Sequence, residues 1–215
     1  MLSIRLAKHI GFCSGVRRAI SIAEDTLSKR KCKVYSLRAI IHNPEVIKQL
    51  RRKGLRIAGY LDDIESGSCV ILPSHGSPRY IFDRAKKKKL KFIDVTCPYV
   101  SSVHKICKTL HKQGFKVVII GDRKHPEIRA LMDLAHQACV IAKIQEVPQD
   151  KFSQQKIGII SQTTQSRDVF LEIVNCILRK NPLVKEVCVF NTICLDTVAR
   201  QEEVKKLAKD VDTLL

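Results

Sequence analysis

The chain has 215 residues and a formal net charge of +18, with 39 Lys and Arg against 21 Asp and Glu. Apolar residues make up 45% of it, which excludes a disordered chain, and no apolar run is long enough to span a membrane. Arg5 and Lys8 interrupt the N-terminus, and no small-residue cleavage site follows, so a signal peptide is not expected. We therefore expect a cytoplasmic protein without a membrane partner, whose positive charge suits an anionic partner.

Short β-branched runs alternate with amphipathic stretches along the chain. The predicted strands cover 34–35, 69–72, 92–95, 117–120, 140–141, 157–160 and 187–190. Apolar residues at helical spacing predict helices over 16–27, 99–110, 169–178 and 198–207. Residues 211–215 are predicted to open another strand. This alternation favours an α/β fold with mainly parallel sheets.

A unit of three motifs occurs twice and begins a third time. The first round consists of Cys13, His42-Asn43-Pro44-Glu45 and Ser74-His75-Gly76. The second round consists of Cys97, His125-Pro126-Glu127 and Ser161-Gln162-Thr163-Thr164. The third round opens with Thr192-Ile193-Cys194. The repeat predicts small α/β lobes in a pseudo-threefold arrangement, with lobes at 1–96 and 97–193 and the start of a third at 194–215.

The nine cysteines do not follow a disulfide or zinc pattern. The chain has no CxxC motif and no secretion signal, so most of the cysteines are expected to be buried apolar residues. Cys13, Cys97 and Cys194 differ because they recur at equivalent positions, predicted to be strand ends, where α/β sheets bind ligands. Three thiolates near one axis would suit a metal centre with one open position.

Three of the histidines lie at predicted turns. His42, His75 and His125 stand beside Asn, Gly or Pro, where functional residues are more frequent than in helices. The remaining histidines after residue 100 lie in predicted helical stretches, and we expect them to pack against other residues or to lie at the surface. They are His104, His111 and His136. Glu127 stands at a helix start, where a carboxylate complements the helix dipole or donates a proton. Glu45 is expected only to complement the helix dipole.

Seven motifs in order carry a resemblance that extends from Ile4 to Leu215. They are Gly11-Phe12-Cys13-Ser14-Gly15-Val16, Ile41-His42-Asn43, Ser74-His75-Gly76, Asp94-Val95-Thr96-Cys97-Pro98, His125-Pro126-Glu127, Ser161-Gln162-Thr163-Thr164, and Thr192-Ile193-Cys194 with Arg200-Gln201. Through them the chain resembles the 4-hydroxy-3-methylbut-2-enyl diphosphate reductase (LytB-type) family. The resemblance implies an iron–sulfur oxidoreductase of the non-mevalonate isoprenoid pathway, with the lobes arranged around a central cluster.

The family resemblance also implies roles for individual residues. A [4Fe–4S] cluster would be held by Cys13, Cys97 and Cys194. The diphosphate substrate would be bound by His42, His75, His125 and Thr163. Glu127 would be the proton source for a reductive dehydroxylation that yields isopentenyl and dimethylallyl diphosphate. The electron donor would be a ferredoxin or a flavodoxin.

The sequence departs from the family pattern in its last part. The Ser-x-Asn motif of the family's third lobe does not occur, so we expect a C-terminally incomplete chain that is weakly active or inactive alone. One alternative is an inactive iron–sulfur-binding fragment. A basic nucleic-acid-binding module is less expected, because no helix-turn-helix, KH or RRM signature occurs. An ordinary nucleotide-binding protein would need a glycine-rich phosphate loop, which is also missing.

Overall fold

The structure, a computed structural model, describes residues 3–29 and 32–214. Across these residues it has seven α-helices and eight strands. The helices, α1 to α7, are Ser14–Lys29, Pro44–Arg52, Arg79–Lys87, Pro98–Lys112, Pro126–Leu134, Arg167–Lys180 and Leu195–Leu207. The strands, β1 to β8, are Val34–Leu37, Arg56–Ala58, Cys69–Leu72, Lys91–Asp94, Lys116–Ile120, Cys139–Ile141, Lys156–Ser161 and Glu186–Val189.

The strands form two four-stranded sheets with the same topology. The first has the order β2-β1-β3-β4 and the second β6-β5-β7-β8, so each strand of the second takes the place of the strand four earlier. All paired strands are parallel. The predicted α/β class and its internal repeat are therefore confirmed. Helix α7 follows β8 as α4 follows β4, which places a third round in register with the first two.

Helices cover both faces of each sheet, and the central strands are buried on both sides. In β3, Ile71 packs with α1 and α2, while Leu72 packs on the opposite face with α3. In β5, Ile119 and Ile120 divide in the same way between the two faces of the second sheet. Burial of one such side chain contributes roughly 1.5–3 kcal/mol. This explains why the inner strands are near-continuous apolar runs.

Helix starts fix the positions of the residues that the motifs single out. Asn43 caps α2 by accepting a hydrogen bond from the Val46 amide, and His125 caps α5 through the Glu127 amide. Proline follows each cap at the first helical position, where its missing amide costs nothing. Cys97 and Cys194 are themselves the cap positions of α4 and α7. The cysteine motifs and the two Pro-Glu motifs therefore lie at helix N-termini.

Three sequence predictions about strands are corrected. The described residues 211–214 form no strand, because a strand requires a paired neighbour and they have none among the described residues; Leu215 lies outside that part of the chain. Cys13 does not follow a strand, since residues 3–12 contain none. Strand β2 was missed by the sequence prediction. It has three residues, of which Arg56 and Ile57 are exposed, so the sequence there has no apolar run. The lobe boundaries at 96 and 193 stay a prediction.

The segment before Cys13 is attached to the last helix. The backbone amide of His9 donates to the Glu203 carboxylate at 2.8 Å, and Arg200 donates to the Gly11 carbonyl at 2.9 Å. Burial is low there, so hydrogen bonds rather than apolar packing hold the segment. Among the described helices, none is both long and apolar enough to cross a membrane.

Candidate functional site

The predicted substrate-binding residues follow the inner strands of both sheets. His42 comes after β1, His75 after β3, His125 after β5 and Thr163 after β7. Ligands of parallel α/β sheets bind beyond the carboxyl ends of the strands, and all four residues lie at such ends. The two inner loops of each lobe therefore define one candidate site.

The three predicted histidines come together although they belong to different lobes. The rings of His42 and His75 are stacked, with centroids 5.3 Å apart and an interplanar angle of 18°. The ring of His125 lies 5.9 Å from that of His42 and 6.3 Å from that of His75. The carboxyl edges of the two sheets therefore face each other across this histidine cluster, which we define as His42, His75 and His125.

Burial and nearby positive charge lower the pKa of two members of the histidine cluster, His75 and His125. Burial, followed by the nearby His42, His125 and Arg38, lowers the pKa of His75 from the ordinary 6.5 to about 4. The pKa of His125 is also lowered, first by burial and then by His42, while Asp122 opposes the shift. Neutral imidazoles result at neutral pH, and each can donate one hydrogen bond and accept another.

The orientation of His125 follows from its role as a helix cap. Its Nδ1 accepts a hydrogen bond from the Glu127 amide at 3.3 Å. An accepting Nδ1 carries no hydrogen, so the neutral ring carries its proton on Nε2. His125 can therefore present an N–H donor to a ligand in the site.

Glu127 is buried and bound to Thr163. Only 1% of Glu127 is exposed. Its Oε1 accepts from the Thr163 amide and its Oε2 from the Thr163 hydroxyl, both at 2.8 Å. Burial raises the pKa of this carboxyl, while the two Thr163 hydrogen bonds oppose the shift. A carboxyl with a raised pKa can hold a proton closer to neutral pH than an exposed glutamate can.

Gly15 keeps two of the predicted cysteine ligands close together. A Cβ atom at Gly15 would lie 2.6 Å from the Cys97 Sγ and 3.9 Å from the Cys13 Sγ. The first distance is shorter than any van der Waals contact, so a side chain at this position would displace the Cys97 thiol. Glycine is therefore required for the two thiols to lie beside the start of α1.

Cys194 occupies beside the second sheet the place that Cys97 occupies beside the first. The Cys97 amide donates to the Ser74 carbonyl at 2.8 Å, and the Cys194 amide donates to the Thr163 carbonyl at 2.9 Å. Burial raises the pKa of Cys194, hydrogen bonds from the backbone of Asp196 and Thr197 oppose the shift, and the nearby Cys97 adds to it. This coupling indicates that the two thiols face a common region.

These thiols do not form a site for a single ion. Within residues 3–29 and 32–214, no three His, Cys, Asp or Glu side chains are placed to hold one metal ion. The ligands of an iron–sulfur cluster bind different irons and so stand farther apart than the ligands of one ion. Two of the thiols, those of Cys13 and Cys97, lie beside Gly15, which leaves room for a group larger than one ion.

Comparison with known proteins agrees with this arrangement. A family model described as LytB protein matches residues 4–215. The chain belongs to the LytB protein family. It is 39% identical to the 4-hydroxy-3-methylbut-2-enyl diphosphate reductase of Aquifex aeolicus, in an alignment that covers 100% of this chain and 74% of that protein. The enzyme of the same name from Clostridioides difficile is 35% identical and covered to 76% of its length.

Solved structures of this enzyme have the same fold as the LytB chain. A structure of (E)-4-hydroxy-3-methyl-but-2-enyl diphosphate reductase, described as the terminal enzyme of the non-mevalonate pathway, superposes with a TM-score of 0.81 at 39% identity. The match covers 99% of this chain and 75% of that one. The Plasmodium falciparum reductase gives a TM-score of 0.87 at 33% identity, with coverage of 94% and 64%. The family resemblance inferred from the motifs is therefore confirmed.

Two residues of this LytB chain contribute to the site without a predicted role. Gly15 makes room for the Cys97 thiol, as described above. Gln162 accepts from the Asp122 amide at 3.0 Å and donates to the Thr164 hydroxyl at 2.8 Å, so it joins the loop before His125 to the loop of Thr163. Both stand inside the quoted motifs, but only tertiary contacts show what they do.

Proposed function

We propose that this chain carries the catalytic centre of a 4-hydroxy-3-methylbut-2-enyl diphosphate reductase. The observation that carries the proposal is the histidine cluster, assembled from both lobes, in a chain that also supplies the buried Glu127–Thr163 pair. The reaction removes the allylic hydroxyl of the substrate as water, with two electrons and two protons. Full-length relatives at up to 39% identity bear this enzyme's name, which supports the same reaction here.

Cys13, Cys97 and Cys194 are the proposed holders of a [4Fe–4S] cluster. Each stands directly before or at the cap of a helix, whose first backbone N–H groups can donate hydrogen bonds to sulfur, as the Val16 amide does to the Cys13 Sγ. The space that Gly15 leaves beside two of the thiols is the feature that fits this group. When bound, a cluster with three protein ligands supplies electrons and one iron open to the substrate hydroxyl.

The histidine cluster is the proposed binding site for the diphosphate and the hydroxyl of the substrate. His125 offers its Nε2–H, since its Nδ1 is engaged by the helix. Low pKa values keep His75 and His125 neutral, so they bind as hydrogen-bond donors and not as cations. Arg38, which lies near His75, adds positive charge that a diphosphate would attract.

Glu127 is the proposed proton source, and Thr163 is the proposed relay. Glu127 is too buried to meet the substrate alone, whereas the Thr163 hydroxyl lies 2.8 Å from its Oε2. A protonated Oε2 can pass its proton to the Thr163 oxygen while that hydroxyl passes its own proton to the leaving oxygen. The raised pKa of Glu127, caused by burial, makes it hold a proton more firmly than an exposed glutamate does.

A ferredoxin or a flavodoxin is the proposed electron donor, and the cytoplasm is the proposed location. Both donors are acidic, and the chain has a net charge of +18. Complementary charge of this kind speeds the encounter of two proteins and makes its rate depend on salt. Family membership does not favour the nucleic-acid-binding alternative.

The test is anaerobic reconstitution of the 215-residue chain with iron and sulfide. Visible absorbance and electron paramagnetic resonance measure the cluster, and product analysis after addition of substrate and a low-potential reductant measures turnover. We expect a cluster that is lost in Cys13→Ser, Cys97→Ser and Cys194→Ser but kept in Cys139→Ser, a half-buried cysteine of β6. A cluster without product would favour the inactive-fragment alternative. A cluster unaffected by the three substitutions would refute the ligand assignment.

A further inference from the structure

A fourth histidine lies against the loop that carries His75. His104 belongs to α4, and a Cβ atom at Gly76 would lie 2.7 Å from its Cε1 and 3.1 Å from its Nε2. Gly76 also has a positive φ of 84°, a conformation that other residues rarely adopt. The ring of His104 therefore touches the backbone of loop 74–76 at a point where only glycine fits.

Two ring nitrogens flank this contact and are buried without a hydrogen-bond partner among the described residues. They are the Nε2 of His104 and the Nδ1 of His75. A buried polar atom without a partner is costly, and native proteins keep few of them. Both atoms lie beside loop 74–76. The free-energy cost of burying them therefore falls on the loop that carries His75, a proposed substrate-binding residue.

The loop that follows β7 shows what a residue at the position of His104 does. Gln201 stands seven residues after Cys194 on α7, and its side-chain amide donates to the Gln165 carbonyl at 3.3 Å. Gln165 stands two residues after Thr163, whose carbonyl accepts from the Cys194 amide. A polar side chain of the helix thus holds the loop that supplies Thr163.

The loop that follows β3 has the same relationship with α4, through different residues. His104 stands seven residues after Cys97 on α4, and Gly76 stands two residues after Ser74. The Ser74 carbonyl accepts from the Cys97 amide, as Thr163 accepts in the second lobe. The internal repeat therefore makes His104 the counterpart of Gln201, and loop 74–76 the counterpart of loop 163–165.

We propose that His104 is a positioning residue that holds loop 74–76 against α4 and thereby fixes the His75 ring within the histidine cluster. Its consequence for turnover rests on the proposed reductase function, whereas its effect on the loop does not. Burial lowers the pKa of His104 to about 4, with Lys108 adding to the shift and Asp94 opposing it. The ring is therefore neutral at neutral pH and acts through its contact with the backbone at Gly76.

The experiment compares three variants of the reconstituted protein. His104→Ala removes the ring, His104→Gln introduces the amide that the second lobe uses, and His111→Ala removes an exposed ring from the same helix as a control. Hydrogen exchange of a peptide covering 73–78, measured without substrate, reports on the loop. Steady-state kinetics report kcat and KM separately.

We expect His104→Ala to speed exchange in 73–78 selectively and to lower kcat/KM by roughly tenfold, mainly through KM, because misplacement of a binding group has effects of this order. His104→Gln should recover most of the loss, and His111→Ala should match the wild type. Uniformly faster exchange, or unchanged exchange in 73–78, would show that His104 only packs and would overturn the proposal. Hydrogen exchange is measured without turnover. An inactive wild type would therefore refute the reductase function, and exchange in 73–78 would still decide whether His104 holds the loop.

A double-mutant cycle gives an independent check on the contact. Gly76→Ala introduces both a positive-φ strain and a clash with His104. The clash disappears when His104→Ala is combined with Gly76→Ala. The melting temperature of the double variant should therefore be higher than the value obtained by adding the two single decreases. Strictly additive changes in melting temperature would mean that the ring does not press on the loop.

Discussion

The two lobes have the same strand order and the same Pro-Glu sequence at one helix start, yet the two glutamates differ. Glu45 at the start of α2 is exposed, whereas Glu127 at the start of α5 is buried and bound to Thr163. The counterpart of Thr163 is Ser74, whose hydroxyl donates to the Ile40 carbonyl instead. A repeated backbone plan therefore supplies a buried carboxyl only once.

One extra residue explains part of this difference. The first lobe has Asn43 between its histidine and its proline, and Asn43 takes the helix cap. His42 is consequently free of the helix and stacks on His75. In the second lobe His125 precedes the proline directly and must serve as the cap itself. Two repeated lobes therefore form an asymmetric site through one inserted residue, Asn43, and one changed hydrogen-bond partner, that of Ser74.

The largest expected effect distinguishes the two glutamates. Glu127→Gln should lower kcat by about 10²–10⁴-fold, because the proposed general acid is lost while the amide keeps the size and one acceptor. Glu45→Gln should leave kcat within about twofold, since surface substitutions rarely matter. Both are measured by product formation in the reconstituted enzyme. Equal losses in the two variants would contradict the asymmetry.

A smaller effect separates the two tasks of His125. Asparagine is a good helix cap, so His125→Asn should leave the free energy of unfolding within about 0.5 kcal/mol. The Nε2–H donor disappears, so substrate binding should weaken by roughly tenfold, the cost of one lost hydrogen bond. Urea denaturation and KM measure the two quantities. An unchanged KM would mean that His125 is a cap alone.

The pH dependence of stability should have opposite signs for His75 and Glu127. The pKa of His75 in the folded protein, about 4, lies below its ordinary 6.5, so its contribution is present above pH 6.5 and lost as the pH falls toward 4. The pKa of Glu127 in the folded protein is raised, so Glu127 contributes to the stability of the folded protein at low pH. This contribution is lost as the pH rises through the folded-state pKa.

Denaturation at pH 5 and pH 7 checks both signs. The stability of wild type relative to His75→Asn should fall by on the order of 2 kcal/mol toward low pH, since each pKa unit corresponds to about 1.4 kcal/mol. Relative to Glu127→Gln, the wild type should instead gain stability as the pH falls. Parallel trends for the two variants would rule out the assigned protonation states.

The smallest expected effect concerns the cap of the first lobe. Asn43→Ala should lower the free energy of unfolding by about 1 kcal/mol, because the Val46 amide loses its acceptor. Thermal or urea unfolding measures the loss. Asn43→Ser, which restores a capping oxygen, should recover most of it. Full stability of the alanine variant would show that the inserted residue serves only as a spacer.

The sequence predicted the elements whose pattern is strong and local. Strands such as β5 and β7 are apolar on both faces, and α4 shows helical spacing, so all three were found. Strand β2 has two exposed residues out of three, and residues 211–214 have a strand-like composition without a partner. In both cases sheet pairing, which local sequence does not encode, decides the outcome.

The site was predicted as far as the internal repeat reached. The motifs predicted the three histidines at turns, and the structure brings their rings within 6.3 Å of one another. The contact of His104 with Gly76, and the space that Gly15 leaves for Cys97, could not be predicted. Both depend on how a helix of one round approaches a loop or helix of another, and spacing along the chain carries no such information.

The attachment of the first residues to the last helix has a consequence for how the protein is made. His9 and Gly11 bind residues that follow them by 194 and 189 positions, and these contacts form only after α7 has left the ribosome. Until then the segment that leads to Cys13 has no fixed place, although the first lobe can already fold. The position of the segment before Cys13 can therefore be fixed only after the strands of both sheets and helix α7 have been synthesised.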